Sequence, residues 1–270
     1  MRAYARYSSE FELRTDRLIK QAAHTEYFLV QILLTGGSGL LGTELLKLSA
    51  EWLAPSHAEL DICDSSAVAE YVRVHAPDVI LHAAAITDNR AIEADAATAL
   101  DVNIKGTVNL AQVCLGTKIR LVFLSTDYVY KGEHGNYTES DELLPSNLYA
   151  WTKLAGEAAV RAVPNHLIIR TSFGSSKFDY PGAFADKWSS KEYVDVTAPK
   201  ILSAAVGAIT GVLNVGGPRR TIYEYAAERN PEVKRIDGQL SANNSPADTS
   251  LNLDKWNASA AGGQERESRE

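Results

Sequence analysis

The stretch TGGSGLLG, residues 35–42, follows the apolar run FLVQILL at residues 28–34 and opens a helical pattern. Three of its four glycines, Gly36, Gly39 and Gly42, are spaced three residues apart. In such a turn the first glycine permits a tight bend, the second lets the backbone approach a pyrophosphate, and the third lets the helix pack on the strand. Free N–H groups at the start of the helix then face the phosphates. The order of strand, glycine-rich turn and helix therefore predicts a dinucleotide-binding site.

Apolar runs that suit buried strands alternate with helical patterns along the chain. The predicted strands cover residues 28–34, 79–83, 120–125, 167–170 and 211–215, and the predicted helices cover residues 40–50, 65–75, 91–115, 148–162 and 195–209. Near-continuous apolarity is typical of strands that are buried on both faces of a parallel sheet. We therefore predict an α/β fold, a doubly wound parallel sheet of the Rossmann type with a smaller C-terminal substrate lobe.

Four regions are predicted along the chain. They are an N-terminal extension at residues 1–26, a dinucleotide-binding Rossmann domain at 27–170, a C-terminal substrate lobe at 171–257 and a flexible tail at 258–270. The lobe begins where the strand–helix alternation loosens and glycine, proline and aromatic residues become frequent. We expect it to be partly interleaved with the sheet and to close a cleft over the carboxyl ends of the strands.

The composition excludes several classes of protein. A net charge of -7 argues against a nucleic-acid partner and against binding to an anionic membrane. No apolar run approaches the roughly 20 residues that a transmembrane helix needs. Cys63 and Cys114 have no metal-ligand spacing, so we expect two free thiols, no metal site and a cytoplasmic location.

Two further motifs carry groups that are suited to proton transfer. In LYAWTKLAGE, residues 148–157, Tyr149 precedes Lys153 by one helical turn, so the two side chains share a helix face. A lysine ammonium near a phenol lowers the phenol pKa from about 10, although a surface tyrosine and lysine would show the same spacing. In STDYVY, residues 125–130, Ser125 and Thr126 end a strand, either as carbonyl-polarising donors or as turn caps. We choose Thr126 as the donor.

The region after the first helix bears on the cofactor's ribose. An acid about 20 residues beyond the glycine-rich turn usually binds the ribose hydroxyl, but neither an acid nor an arginine falls at a strand end in EWLAPSH, residues 51–57. The missing acid favours a phosphorylated ribose, and hence NADPH, only weakly. Asp61 and Ile62 are predicted at the adenine edge, and Asp64 is predicted to cap the helix at Ser65.

These motifs, in this order, resemble the extended short-chain dehydrogenase/reductase superfamily. More narrowly, STDYVY, the loop YTESDELLPSNLYA and WTKLAGE are similar to the dTDP-4-dehydrorhamnose reductase family. HAAAITD at residues 82–88, Asn103 in DVNIKGTVNLA and DTSLNLDKW near the C-terminus are similar to its pattern too. The resemblance covers roughly residues 28–256 and is thinner after Arg170.

The resemblance implies hydride transfer from NADPH, or alternatively NADH, to a nucleotide-activated keto-sugar in dTDP-rhamnose biosynthesis, in a homodimer. It implies that Tyr149 donates a proton to the ketone oxygen, that Lys153 lowers the Tyr149 pKa and binds the nicotinamide ribose, and that Thr126 bonds the substrate oxygen. The predicted cofactor-binding residues are Gly36, Ser38, Gly39, Leu40, Leu41, Gly42, Asp61, Ile62, Ala83, Ala84, Ala85, Asn103, Ser125 and Lys153. The predicted substrate-binding residues are Thr87, Thr126, Tyr149, Ser172, Trp188 and Lys191.

Two other functions remain open. One is an NDP-sugar epimerase with tightly bound NAD, and the other is a non-catalytic regulatory subunit that resembles the one of methionine adenosyltransferase. Dehydratases of the superfamily typically carry Thr-Asp-Glu where this chain has Thr126-Asp127-Tyr128, which disfavours dehydration and leaves Asp127 as a structural residue.

The substrate region departs from the family's pattern. The segment from Arg170 to Asn214 is shorter than the family's usual substrate region. Its basic and aromatic residues either meet a sugar-nucleotide diphosphate and base or form a solvated surface with core aromatics. They are Lys177, Trp188, Lys191 and Tyr193, with Arg219 and Arg220 just beyond.

Overall fold

The computed structural model describes residues 30–49, 52–236 and 246–259. The predicted extension at residues 1–26 and nearly all of the predicted tail at 258–270 lie outside these ranges. The strands are β1 Ile32–Thr35, β2 Trp52–Leu53, β3 Val79–His82, β4 Arg120–Thr126, β5 His166–Thr171, β6 Phe173–Gly174, β7 Gly182–Phe184, β8 Trp188–Ser189, β9 Glu192–Tyr193, β10 Gly211–Val215, β11 Arg220–Thr221 and β12 Lys234–Ile236.

The helices lie between these strands. They are α1 Leu40–Leu46, α2 Ser65–His75, α3 Asn89–Ala94, α4 Ala96–Leu100, α5 Gly106–Cys114, α6 Leu148–Val160, α7 Val194–Val206 and α8 Ile222–Ala227. A π-helical segment, Asp101–Lys105, joins α4 to α5, and a 3-10 turn, Asp127–Val129, follows β4.

Six strands form one parallel sheet in the order β10-β5-β4-β3-β1-β2. Every pairing in it is parallel. The chain runs outward in one direction from β1 to β2 and in the other from β3 onward, so the strand order reverses between β1 and β3. This is the doubly wound α/β fold that the sequence predicts, and ligands bind such sheets beside the reversal, at the carboxyl ends of the strands.

The sheet is buried on both faces because successive side chains point to opposite sides. On one face Leu34, Leu81 and Ile169 pack in a cluster with residues of α1 and α7. On the other face Leu33 and Phe123 pack in a cluster with residues of α2 and α5. The continuous apolar runs of the sequence are explained by this two-sided burial.

Several elements differ from the prediction: the strands β2, β6, β7, β8, β9, β11 and β12 and the helix α8 were not predicted, β1 begins only at Ile32, and α1 ends at Leu46. The strand β2 is only two residues long. The helix predicted over residues 91–115 is interrupted at Asp95, which ends α3 and caps α4. The Asp95 carboxylate accepts hydrogen bonds from the backbone N–H and the hydroxyl of Thr98. This local bond competes with a continuous helix.

Three small strand pairs lie outside the main sheet. They are β7 with β12, β8 with β11, and β6 with β9. The chain returns from this region to the main sheet through α7 and β10, and β10 pairs directly with β5. Residues 188–189 and 248–251 then meet the 3-10 turn after β4, where Ser189 and Thr249 both donate to the Asp127 carboxylate.

Two predictions from the composition can be examined in the described residues. Both cysteines are free, Cys63 half-buried and Cys114 buried. Burial raises the pKa of Cys114 to about 12, so this thiol is protonated at neutral pH. Within the described ranges, no helix combines the length and apolarity needed to cross a membrane.

A buried ion pair joins α6 to β5. The Arg170 guanidinium donates two hydrogen bonds to Glu157, from Nε at 3.0 Å and from Nη2 at 2.7 Å, and neither side chain is exposed. Arg170 also donates to the Tyr130 hydroxyl, and Ser125 donates to Glu157. The pair therefore fixes α6 against the ends of β4 and β5.

We expect Glu157→Gln to lower the free energy of unfolding by about 3–5 kcal/mol, because it leaves the Arg170 charge buried without compensation. Urea denaturation measures this loss. The matched control is Glu70→Gln, which breaks the exposed ion pair with Arg73 and should change the unfolding free energy little. A loss below about 1 kcal/mol in Glu157→Gln would contradict the predicted importance of this pair.

Candidate active site

The glycine-rich turn lies at the carboxyl end of β1. Gly36 has φ +82, and a Cβ there would come within 2.6 Å of the Ala84 backbone nitrogen. A Cβ at Gly42 would lie 2.2 Å from the Gly36 carbonyl oxygen. Gly39 is different: it has φ -75 and ψ 172 at the N-cap of α1, and the nearest atom to its Cβ is the Gly36 oxygen at 3.2 Å. The close backbone contacts of the turn thus require glycine at positions 36 and 42. Gly39 instead leaves space for a ligand on the outside of the turn.

This cradle fits a dinucleotide pyrophosphate. Bulky side chains are excluded from it, and the first N–H groups of α1 lie beside it. Ser38 and Leu40 are exposed, whereas Leu41 is buried in the core and offers only its main chain. The small residues that follow β3 at the same sheet edge are half-buried: Ala83, Ala84 and Ala85.

The two residues predicted at the adenine edge are only partly available. The Ile62 side chain packs in the core, where a Cβ on Gly106 would meet its Cδ1 at 2.7 Å, and its carbonyl accepts from Asn109. The Asp61 carboxylate accepts from the backbone N–H of Cys63. Asp64 caps α2 as predicted, because its carboxylate accepts from two backbone N–H groups of the first turn.

Tyr149 lies in the first turn of α6, which begins at the Asn147 cap. Burial raises the pKa of Tyr149, and the neighbouring Asp127 and Tyr128 raise it further. The prediction that Lys153 makes this phenol acidic is therefore wrong for the protein as it stands. The physical reason is that desolvation and a nearby carboxylate both disfavour the phenolate. The phenol keeps its proton at neutral pH, as a proton donor must.

Lys153 is almost completely buried, one turn after Tyr149. Burial lowers the pKa of Lys153 to about 7, and the negative charge of Glu157 opposes this shift. Its Nζ lies 4.0 Å from the centroid of the Phe123 ring. We find no hydrogen-bond acceptor for this ammonium in the described part of the chain, and such a donor fits the hydroxyls of a ribose.

Two predicted cofactor ligands have structural partners instead. The Asn103 amide donates to the Ile86 carbonyl and to the Thr152 hydroxyl, and its oxygen accepts from the Ile86 N–H. The Ser125 hydroxyl donates to Glu157 at 2.6 Å. A hydroxyl has one proton, so Ser125 cannot also donate from its side chain to a cofactor. Asn103 ties the loop after β3 to α6 and so positions the site.

Thr126 ends β4, but its proton is engaged. Its hydroxyl donates to the Asp127 carboxylate at 3.2 Å and accepts from the backbone N–H of Tyr128. To polarise a carbonyl, Thr126 must first release Asp127. Burial raises the pKa of Asp127, and its hydrogen bonds from Thr249, Thr126 and Ser189 oppose that shift, as does the Lys191 charge. Asp127 is a structural anchor, as interpreted from the sequence.

The predicted substrate residues fall into two groups. Trp188 and Lys191 belong to the segment near Asp127, because Ser189 donates a hydrogen bond to the Asp127 carboxylate. Burial lowers the pKa of Lys191, and the negative charge of Asp127 opposes this shift. The Trp188 ring is covered by the Arg219 guanidinium at 3.9 Å, and Arg219 is paired with Asp248. The other group is Ser172, half-buried just after β5, and Thr87, exposed after β3.

The remaining basic and aromatic candidates are mostly engaged within the lobe. Tyr193 is buried and stacked on Tyr225, and the Arg229 guanidinium carbon lies 3.9 Å from the centroid of its ring. Arg220 is paired with Glu228, while Lys177 is exposed. For Tyr193 and Arg220 the core interpretation is therefore the better one.

Sequence reasoning missed three residues that touch the site. Tyr128 interacts with both Asp127 and Tyr149, and burial raises its pKa to about 12. Phe123 supports the Lys153 ammonium, and Glu157 orients α6. Tyr128 stands two residues after Thr126 in STDYVY, and this proximity was a signal that could have found it. Phe123 and Glu157 gave no such signal, because a single sequence does not show which residues of β4 face α6.

Comparisons with known proteins agree with this geometry. The family described as RmlD substrate binding domain matches residues 30–204. The dTDP-4-dehydrorhamnose reductase of Mycobacterium tuberculosis (strain CDC 1551 / Oshkosh) is 37% identical over 241 residues, which is 76% of this chain and 79% of that protein. Methionine adenosyltransferase 2 subunit beta of Rattus norvegicus is 34% identical over 141 residues, 52% of this chain and 42% of that subunit.

A solved structure has the same fold. It is a dTDP-4-dehydrorhamnose reductase from Bacillus anthracis str. Ames in complex with NADP, with TM-score 0.76 at 23% identity, covering 87% of this chain and 93% of that one. The match over residues 30–204 and the relative that is 37% identical over most of its length show that the chain belongs to the RmlD family of dTDP-4-dehydrorhamnose reductase-like proteins.

Proposed function

We propose that the protein is an NADPH-dependent reductase of a nucleotide-activated keto-sugar, with a dTDP-linked 4-keto-6-deoxy sugar as substrate. The observation that carries the proposal is that a proton-bearing Tyr149 lies one turn before Lys153 on α6, at the sheet edge that holds the glycine-rich turn, and that the Lys153 ammonium has no hydrogen-bond acceptor among the described residues. The M. tuberculosis relative, which bears the name of this activity, supports the choice of substrate.

In this proposal each side chain has one task. The dinucleotide, when bound, supplies the hydride. Tyr149 gives its proton to the ketone oxygen, and its raised pKa means that the proton is present at neutral pH. Lys153 holds the ribose with its buried ammonium. Thr126 binds the same ketone oxygen once its hydroxyl leaves Asp127. Trp188, Lys191 and Ser172 line the part of the site where the sugar nucleotide binds.

The preference for NADPH rests on the end of β2. After Leu53 the chain reads Ala54-Pro55-Ser56-His57, and the first acid is Glu59. The Glu59 carboxylate is already bound by the backbone N–H and the hydroxyl of Ser56, each at 2.8 Å. These hydrogen bonds lower the pKa of Glu59, so its carboxylate stays ionised. The support for NADPH is that residues 54–58, directly after β2, contain no acid that would bind a ribose hydroxyl.

The test is a titration of the purified protein with NADPH and with NADH, followed by addition of the dTDP-4-keto-6-deoxy sugar. Loss of the absorbance of the reduced cofactor is expected with NADPH. Turnover with NADH alone would overturn the cofactor preference. Binding of NADPH with no turnover would overturn the reductase assignment.

A non-catalytic role is the second candidate, because methionine adenosyltransferase 2 subunit beta of Rattus norvegicus is 34% identical over half of this chain. A regulatory subunit would bind the dinucleotide without a redox reaction and would change the activity of a partner enzyme. The epimerase alternative would purify with NAD bound and need no added reductant. The same titration separates the three functions.

We further propose a homodimer that is formed through α6. Leu148 and Trp151 lie one turn apart on this helix and are 41% and 49% exposed, and Leu144 beside them is 45% exposed. Trp151→Glu is expected to give a monomer, measured by light scattering during size exclusion. The control is Tyr180→Glu, on a residue that is 71% exposed in the C-terminal lobe, which should leave the dimer intact. A dimer that survives Trp151→Glu would exclude this face.

Two coarser assignments complete the proposal. We infer that residues 27–170 hold the cofactor and that residues 171–257 form the substrate lobe, with β10 shared with the sheet. We also infer a cytoplasmic location, because both cysteines are free thiols and thiols persist in reducing compartments.

A further inference from the structure

We propose that the Phe123 ring makes a cation–π contact with the Lys153 ammonium. In this proposal Phe123 and Gly156 are positioning residues that favour the charged form of the buried ammonium. This inference rests on the proposed function for its effect on turnover. The contact itself is independent of it. Phe123 lies on β4, and Lys153 and Gly156 lie on α6, so the three residues meet where this helix packs on this strand.

The first support is geometric. The Lys153 Nζ lies 4.0 Å from the centroid of a ring that is fully buried, well inside the distance of about 6 Å at which a cation is attracted to an aromatic face. A desolvated cation gains most from such a contact, because water no longer competes for it.

The second support is the space that Gly156 leaves. A Cβ at this position would lie 2.7 Å from the Phe123 Cζ, closer than real Cβ contacts allow. Any larger residue at 156 would therefore push the ring away from its place under Lys153. The glycine in WTKLAGE is thus explained by the ring, because helix interiors otherwise disfavour glycine.

The third support is that no side chain or carbonyl in residues 30–49, 52–236 and 246–259 accepts a hydrogen bond from this ammonium. The titratable groups that interact with it are Glu157 on its own helix and His82 on β3. Glu157 is occupied by Arg170 and Ser125, so its charge is largely offset. His82 is held between the hydroxyls of Thr35 and Thr107, and burial lowers its pKa to about 3.

Among the other titratable groups around α6, Tyr149 lies one turn before Lys153, and its raised pKa keeps it neutral. Asp127 and Tyr128, on the turn after β4, interact with Tyr149. The exposed charges of the neighbouring helical segments are in water: Arg90, Glu93, Asp101 and Lys105. Burial and the Glu157 charge act on the Lys153 pKa, and the aromatic face adds a direct contact that favours the charged form.

The direction of the effect follows from the sign of the interaction. The ring stabilises the charged form, so removing it lowers the Lys153 pKa further below its ordinary value. In a variant without the ring, the ammonium loses its proton at a lower pH. The alkaline limb of the pH profile of kcat then moves to lower pH by the same amount.

The experiment measures the Lys153 pKa directly, by NMR titration of the apo protein with lysine that is isotope-labelled at Cε. Lys153→Met identifies the resonance by removing it. Phe123→Met keeps much of the volume without the ring. A phenylalanine fluorinated at the two meta positions keeps the shape and weakens the π face, and its unsubstituted para carbon still faces Gly156. Gly156→Ala displaces the ring by placing a Cβ against the Phe123 Cζ.

We expect the Lys153 pKa to fall by about one unit in Phe123→Met, and to fall by less in the fluorinated protein and in Gly156→Ala. The control, Leu121→Ala, removes buried apolar volume from the same face of β4 and should leave this pKa unchanged. An unchanged pKa in both Phe123→Met and the fluorinated protein, or an equal shift in Leu121→Ala, would overturn the proposal. Absence of turnover in the wild type would reject the reductase assignment alone, because the NMR titration does not depend on activity.

Discussion

Tyr149→Phe is expected to reduce turnover of the keto-sugar by at least about 100-fold, and by up to about 10,000-fold, which is the range that a positioned proton donor contributes. The substitution removes one hydroxyl from a half-buried phenol and leaves the ring in place. The dissociation constant for NADPH should stay within about twofold, because the predicted cofactor contacts lie on the glycine-rich turn and Lys153. Single-turnover reduction and NADPH fluorescence titration measure the two quantities.

Tyr128→Phe is the matched control for that result. Tyr128 is also a half-buried tyrosine, and it interacts with Asp127 and Tyr149, so the same atom is removed from similar surroundings. We expect a loss of less than about tenfold, since a residue near the reaction that transfers no proton costs less. If Tyr128→Phe were the more damaging change, the proton donor would be Tyr128, and the role given to Tyr149 would be wrong.

Gly39→Val should abolish NADPH binding while the protein stays folded, with the dissociation constant rising by at least about 100-fold. The backbone of Gly39 is in the extended region that any residue adopts, and the space outside its Cα is where the pyrophosphate must approach. The thermal midpoint without cofactor should change little, and NADPH should no longer raise it. Differential scanning fluorimetry with and without NADPH measures both effects.

Two neighbouring glycines give the contrast. Gly42→Ala places a Cβ 2.2 Å from the Gly36 oxygen and should lower the thermal midpoint even without cofactor. In Gly37→Ala the new Cβ would lie 3.5 Å from the Ala54 Cβ and 3.7 Å from the Leu46 Cδ1, which are ordinary contacts, so this change should be tolerated. Tight NADPH binding by Gly39→Val would show that the pyrophosphate does not cross this turn.

The main sheet was predictable because its signals are local. A buried strand is a continuous apolar run, so β3, β4, β5 and β10 were found to within one residue at each end. The bounds of α2 were also predicted correctly, since Asp64 provides its cap. The strand β2 was missed because two residues give no periodicity. Asp95 carried the capping signal in Asp-Ala-Ala-Thr, but the apolar pattern around it concealed the break.

The site was harder to predict, because its chemistry depends on contacts that are distant in sequence. The proton of Ser125 is bound by Glu157, which lies 32 residues away, and Asp127 is bound by Thr249, which lies 122 residues away. The pKa of Tyr149 is raised by desolvation, which no spacing of tyrosine and lysine reveals. A motif therefore identified which residues meet, but the three-dimensional packing decides which of their protons are available.

The placement of β10 beside β5 has a consequence for how this protein can diversify. The chain leaves the sheet at Thr171 and returns at Gly211, in the adjacent strand, so everything between is an excursion with both ends fixed. Its first part, residues 172–187, precedes the contact of Ser189 with Asp127, so a change of length there leaves the strand order, the glycine-rich turn and that contact in place. In the proposed function, the substrate lobe can therefore change in length while the parallel sheet and α6 are inherited intact.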